Sequence, residues 1–190
     1  MSDESERLVR GPRPGERPGG LGLTRMNFVA DGDAAAVVDR ARDVMLRLAG
    51  LPASAFNDVA TGDLLPEWFL AAFARQPLAG QCPQDGEWTY PVFDDRFGGG
   101  QCPQDGDWTE ASPCKCTHSK QCPQDGDWTL EGWLYWADPG ERPWRWWDAR
   151  AVDADRGTIE IQVTDWPTPV GALSWLLLAA GATGTDYRES

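Results

Sequence analysis

The sequence predicts an α+β fold: a small antiparallel sheet with helices packed on one face, interrupted by a cysteine- and tryptophan-rich repeat insertion. Three observations support this prediction. Apolar residues recur at helical spacing in several short segments, two strand-like segments flank a turn and the second alternates apolar with polar residues, and a nine-residue motif occurs three times in mid-chain. With 190 residues, the chain is long enough to bury a sizeable core.

The first elements are a tail, a strand and a helix. Residues 1–22 mix Arg, Glu, Pro and Gly with few apolar side chains, which predicts a disordered tail. A short strand follows over 23–30, where Met, Phe and Val concentrate. Asp33 then caps a helix that Gly50 ends. The apolar residues of this helix form one face, made of Val37, Ala41, Val44 and Leu48.

Two further helices are expected on either side of the repeat. Asp63 caps the first, which runs to Ala74 with Pro66 in its first turn. Thr129 caps the second, a short apolar helix that Pro139-Gly140 stops.

The C-terminal part predicts a β-hairpin followed by a helix. Segments 144–153 and 158–166 flank a turn at 155–157, and the second segment alternates apolar with polar residues. Thr168 is the expected N-cap of a final helix with a proline at its first position, and Gly181 ends it. This helix has few polar residues, which indicates that it is buried.

The element order therefore predicts one domain. We expect a single α+β domain over 23–182, a repeat insertion at about 79–128 and a polar tail at 183–190.

The repeat is the motif Gln-Cys-Pro-Gln-Asp-Gly-(Glu/Asp)-Trp-Thr, found at 81–89, 101–109 and 121–129. Cys-Pro favours an extended entry, Gln-Asp-Gly a turn, and Trp-Thr a strand-like or buried segment. One interpretation is that Trp and Cys fill a small core; the other is that the repeat carboxylates bind a partner. Candidate partner-binding carboxylates are Asp105, Asp107, Asp125 and Asp127.

A cysteine-rich segment, Cys114-Lys115-Cys116-Thr117-His118, lies between the second and third copies and contains the chain's only histidine. Thiolates and imidazole are the usual ligands of a tetrahedral zinc site. The Cys-x-Cys spacing, however, differs from that of common zinc knuckles. A disulfide or redox-reactive loop and plain reduced cysteines are the alternatives. The candidate zinc ligands are Cys102, Cys114, Cys116, His118 and Cys122.

The second concentration of tryptophan is Trp144-Arg145-Trp146-Trp147. On a strand, Trp144 and Trp146 share one face while Trp147 takes the other. Exposed Trp beside Arg is typical of binding hot spots, so all four residues are candidates for partner binding. Alternatively, a helix or the repeat covers the second face and the tryptophans are core, or they form a small-ligand cage.

Charge and motifs exclude several classes of function. A net charge of −13 and a pI near 4.4 argue against unaided binding to nucleic acid or anionic membranes and favour a basic partner. Neither a signal peptide nor a segment long enough to span a membrane is recognisable, so we expect a cytoplasmic protein. No hydrolase triad, calcium loop or phosphate loop is complete, which predicts no enzymatic activity. A cysteine-dependent enzyme is the remaining catalytic alternative.

Two parts of the chain resemble known groups of proteins. Segments 130–136, 142–148 and 171–181 resemble small uncharacterised bacterial proteins, which implies no particular chemistry. Segment 79–91 is similar to the Cys-Pro-x-x-Gly-x-Trp element of proteins associated with type VI secretion and polymorphic toxins. That resemblance implies a role in toxin immunity or inter-bacterial conflict rather than in metabolism. Its motif residues are Cys82, Pro83, Gly86 and Trp88.

Together, these features predict a non-enzymatic acidic binding protein that sequesters a basic protein partner, as an immunity protein or antitoxin does. The alternative is a zinc-stabilised interaction module built on the Cys/His segment, with zinc as its only expected cofactor.

Overall fold

The computed structural model of the chain describes residues 3–75, 128–166 and 168–188. Five helices and four strands are described in these ranges, and two 3₁₀ turns, Ala53–Asn57 and Val59–Leu64, precede α3. The elements are α1 (Asp3–Arg10), β1 (Gly22–Ala30), α2 (Ala34–Leu48), α3 (Glu67–Phe73), α4 (Leu130–Ala137), β2 (Trp144–Ala151), β3 (Arg156–Val163), α5 (Gly171–Ala179) and β4 (Ala182–Arg188).

The four strands form one antiparallel sheet in the order β2-β3-β1-β4. In its centre, Met26 of β1 lies opposite Ile159 of β3 on one side and Tyr187 of β4 on the other. The register of β2 against β3 shifts between Trp146 and Asp148, which marks a bulge. The predicted α+β class with an antiparallel sheet is confirmed, and β2 and β4 are the edges of the sheet described here.

One face of the sheet is buried against helices. Buried and exposed residues alternate along β1, where Met26 and Phe28 are buried while Arg25 and Asn27 are exposed. Helix α2 packs against β1, β2, β3 and α5. Its buried residues include the predicted apolar face of Val37, Ala41, Val44 and Leu48.

Two of the predicted helix caps are confirmed. Oδ1 of Asp33 accepts a 3.0 Å hydrogen bond from the backbone N–H of Ala36 at the start of α2. Oγ1 of Thr129 accepts one of 3.0 Å from the N–H of Gly132 at the start of α4. Each side chain satisfies a backbone donor that a helix N-terminus would otherwise leave without a partner.

Two other helix starts differ from the prediction. Asp63 lies within the second 3₁₀ turn, and Pro66 has an extended ψ of 144°, so α3 begins only at Glu67. Thr168 donates its hydroxyl to the carbonyl of Asp165 instead of capping a helix, and α5 begins at Gly171. The predicted hairpin is present, although its turn lies at 152–155 and β3 already begins at Arg156.

The disordered tail predicted for 1–22 is wrong for residues 3–10, which form α1. Leu8 of this helix is buried, and the carboxylate of Glu4 accepts a 2.7 Å hydrogen bond from the backbone N–H of Trp146. These two residues are 142 positions apart. Local composition therefore carries no sign of the contact that holds the helix.

The polar tail predicted for 183–190 is also wrong, because residues 182–188 form strand β4. Asp186 lies opposite Asn27 in the ladder with β1. The domain thus extends beyond both ends of the predicted range 23–182. The insertion predicted at about 79–128 lies outside the described residues, except for Trp128. No helix in the described ranges has both the length and the hydropathy needed to span a bilayer.

Candidate functional site: the acidic end of the sheet

The three tryptophans expected on a binding surface lie in the core. Trp144, Trp146 and Trp147 expose only 1%, 0% and 4% of their surface. In the register of β2 on β3, Trp144 lies opposite Val163 and Trp146 opposite Ile161, both buried. The expectation of an exposed tryptophan patch is wrong, and the core alternative is the correct one.

Helix α1 explains why Trp147 is buried although it follows Trp146 directly. The bulge in β2 falls at Trp147. The guanidinium of Arg7, on α1, lies 4.7 Å from the centroid of the Trp147 ring, a cation–π distance. The prediction missed this cover because it assigned residues 1–22 to a tail.

Arg145 orients the loop before β2. Its guanidinium donates hydrogen bonds to the carbonyls of Pro139 at 2.6 Å and of Arg142 and Trp144 at 2.9 Å each. Three carbonyl contacts hold this side chain against its own backbone, and its role in partner binding stays a prediction.

The other predicted site residues are not among those the structure describes. This holds for the repeat carboxylates and for the Cys/His segment on which the zinc alternative rests. Within the described ranges, no group of three or more His, Cys, Asp or Glu side chains is arranged to hold a metal ion. The residues outside these ranges are Asp105, Asp107, Asp125, Asp127, Cys102, Cys114, Cys116, His118 and Cys122.

Two loops meet at one end of the sheet, the β1–α2 turn at 31–33 and the hairpin turn at 152–155. The N–H of Gly32 donates to Oδ1 of Asp155 at 3.0 Å, and the N–H of Ala34 donates to a carbonyl of the hairpin turn at 2.8 Å. These bonds join segments more than a hundred positions apart and fix the loops relative to each other.

The joined loops bring four exposed aspartates together. We call this surface the acidic end; its residues are Asp31, Asp33, Asp153 and Asp155. Three of these carboxylates also bond within the protein: Asp33 caps α2, Asp155 accepts the N–H of Gly32 and Asp153 accepts the N–H of Asp155. Such bonds restrain the carboxylates while leaving their residues exposed to solvent.

Arg156 borders the acidic end and bonds to one of its members. Its Nε donates to Oδ2 of Asp153 at 2.8 Å. This hydrogen bond, with a further one from the backbone N–H of Asp155, holds the pKa of Asp153 below its usual range. Asp153 is therefore ionised at neutral pH.

Two exposed valines adjoin the acidic end. Val152 is 61% exposed and Val29 is 45% exposed. Val29 lies opposite Arg156 in the β1–β3 ladder, and the N–H of Val152 donates to the carbonyl of Arg156 at 2.8 Å. Apolar side chains with a charged surround are typical of protein-interaction surfaces. Sequence reasoning missed this site because its residues come from two turns that only the fold joins.

A cleft of about 480 Å³ lies elsewhere, at the N-terminal end of α1. Its lining contains the acidic residues Asp3 and Glu4 and the basic residues Arg7 and Arg145. The charges of this lining balance, and both Glu4 and Arg145 already bond to protein groups. The acidic end is thus the better candidate for recognising a charged partner.

No protein-family model matches the chain, and no curated protein or solved structure is significantly similar to it. The two resemblances carried by the C-terminal third and by the Cys-Pro-x-x-Gly-x-Trp element therefore stay predictions. Function has to be inferred from the surface of the chain itself.

Proposed function

We propose that the chain is a non-enzymatic acidic protein that sequesters a basic protein partner, in the manner of immunity proteins and antitoxins. The observation that supports this proposal is the acidic end, where two mutually bonded loops present four exposed aspartates beside two exposed valines. Lysine and arginine side chains of a partner would bind the carboxylates, and an apolar group would pack on Val29 and Val152.

Restraint of the carboxylates favours such binding. Asp33 is held by the N–H of Ala36 and Asp155 by the N–H of Gly32, both at 3.0 Å. A side chain that is already ordered loses less conformational entropy when a partner binds. The acidic end is therefore organised before its partner arrives.

The charge of the whole chain adds a longer-range attraction. The net charge is −13, and segment 76–127 holds nine of the 30 acidic residues. Each exposed ion pair contributes only about 0–1 kcal/mol, so charge mainly raises the association rate and selects a basic partner. Burial of the valines supplies apolar affinity, and sequestration follows from steric occlusion of the partner's own functional surface.

Capture at low ionic strength tests the proposal. The tagged chain is co-expressed with the proteins encoded beside its gene and then eluted with a salt step. We expect a stoichiometric basic protein whose association rate falls about tenfold or more between about 20 and 300 mM NaCl. Binding that ignores salt, or the absence of any basic partner, would contradict the proposal.

Two variants of equal net charge then locate the surface. One carries Asn at all four aspartates of the acidic end, which removes charge but keeps a side-chain oxygen for each hydrogen bond. Its control carries Asn at four other exposed aspartates. We expect the first variant to lose about tenfold or more in affinity and the control less than about threefold. The control positions are Asp39, Asp58, Asp63 and Asp165.

A further inference from the structure

We infer that an extended, lysine- or arginine-containing segment of the partner docks on the edge of strand β4 and adds a fifth strand to the sheet. This inference rests on the proposed function and names the surface that would take the partner. In this mode of recognition, backbone hydrogen bonds to an edge strand provide affinity and side chains provide selectivity.

The two edges of the described sheet differ. At the β2 edge, the carboxylate of Glu4 accepts the backbone N–H of Trp146, and Leu8 of the same helix is buried. Helix α1 therefore covers this edge and occupies a backbone donor that another strand would need.

Strand β4 forms the opposite edge. Among the described strands it pairs with β1 alone, and α5 packs against it from the helical layer. Thr183 and Asp186 are exposed. Natural edge strands are often protected by proline or by charged side chains; β4 contains no proline, and its charged residues are Asp186 and Arg188. In the described part of the chain, β4 is thus the edge suited to strand addition.

Charge selects the occupant of this edge. Asp186 is an exposed residue of β4 itself, and Ala182 lies opposite Ala30, one residue before Asp31 of the acidic end. Neighbouring strands lie about 4.8 Å apart, so a strand added to β4 would run about 10 Å from β1. That distance is about one Debye length, within which Asp31, which directly follows β1, attracts cationic side chains.

A second copy of the chain fits this edge less well. Two copies would each bring a net charge of −13, and the resulting repulsion opposes their association. A basic segment removes that repulsion while making the same backbone hydrogen bonds.

The probe is a capped heptapeptide of alternating threonine and lysine, added to the full chain at low salt and millimolar concentration. A peptide of alternating threonine and glutamate is its charge control. Amide hydrogen exchange across 182–188 is followed by mass spectrometry. We expect the lysine peptide to slow exchange there by about tenfold or more, and the glutamate peptide to leave it unchanged.

A pair of charge-reversal variants tests whether the peptide binds at β4 itself. Asp186→Lys places a lysine on the edge, while Asp63→Lys makes the same change of charge beyond the other end of α2. Asp63 lies away from β4, as two arginines of α2 show. Arg47, near the C-terminal end of the helix, bonds to the carbonyl of Leu64, next to Asp63. Arg40, nearer the start of the helix, bonds to the carbonyl of Ala180, just before β4. We expect Asp186→Lys to abolish the protection and Asp63→Lys to retain it.

Several outcomes would overturn the inference. Protection confined to 31–33 and 152–155 would place binding at the acidic end alone, which leaves the proposed function intact. A dimer that Asp186→Lys dissociates would assign the edge to a second copy. Full protection of β4 amides in the free chain would show that the edge is already covered. By contrast, peptide protection at β4 together with no captured basic protein would contradict the proposed function alone.

Discussion

Glu4 and Arg142 form a buried ion pair between α1 and the loop that precedes β2. Nη2 of Arg142 donates to Oε2 of Glu4 at 2.7 Å, and the two side chains are only 2% and 8% exposed. The other oxygen of Glu4 accepts the N–H of Trp146, while the Arg142 guanidinium lies 4.5 Å from the ring of Trp144. Burial lowers the pKa of Arg142, and the charge of Glu4 opposes that shift. Helix α1 is thus attached to the domain through a buried ion pair, in which the carboxylate of Glu4 stabilises the charge of Arg142.

Glu4→Ala should destabilise the fold strongly, by about 3–5 kcal/mol, because it leaves the guanidinium of Arg142 buried without a counter-charge. Urea unfolding followed by tryptophan fluorescence measures the loss. Glu6→Ala is the matched control, since Glu6 pairs with the exposed Arg13 on the same helix and little change is expected. Equal losses in the two variants would show that the buried pair is not what holds α1.

Trp146→Ala should destabilise the core by about 3–5 kcal/mol, because a fully buried indole is replaced by a cavity. Trp166, which is 53% exposed, provides the control. Trp166→Ala should change the free energy of unfolding by about 0.5 kcal/mol or less. Chemical denaturation of both variants separates a core role from a surface role. A stable Trp146→Ala variant would contradict the burial of this strand.

Gly157→Ala should cost about 1–3 kcal/mol, because the ring of Phe28 lies directly over Gly157. A Cβ at this position would overlap Cζ of Phe28. In Gly184→Ala, the added Cβ would lie 3.4 Å from the nearest atom of Val29, an ordinary contact. Thermal unfolding should therefore show a lower midpoint for the first variant only. A similar midpoint for both would mean that Phe28 does not cover the glycine.

The carboxyl of Asp153 should titrate below the usual range, and Arg156→Met should raise its pKa. NMR titration of the side-chain carboxyl measures both values. Because its folded pKa is lowered, the stabilisation from Asp153 is present above its unfolded pKa and is lost as pH falls through the folded value. Arg156→Met should reduce that acid-side dependence. Arg150→Met is the control, since Arg150 approaches Asp148 and Glu160 instead.

Several elements were predictable because their signals are local. Asp33 and Thr129 cap helices through bonds to the third residue after them, and the apolar face of α2 is visible as helical spacing. Alternation along 159–163 likewise indicated a strand with one buried face. In each case the interacting residues lie within a few positions of one another, so the sequence records the contact directly.

By itself, the sequence determined the α+β class, two helix caps, the hairpin and the apolar core of the helices. Only the tertiary structure decided that residues 3–10 are a helix, that 182–188 are an edge strand, that Trp147 is buried and that two turns form the acidic end. Each depends on a contact between distant residues: Glu4 with Arg142, Asp186 opposite Asn27, Arg7 with Trp147, and Gly32 with Asp155. Polar residues look solvent-exposed in a sequence, and they become buried or clustered only when folding brings their partners to them.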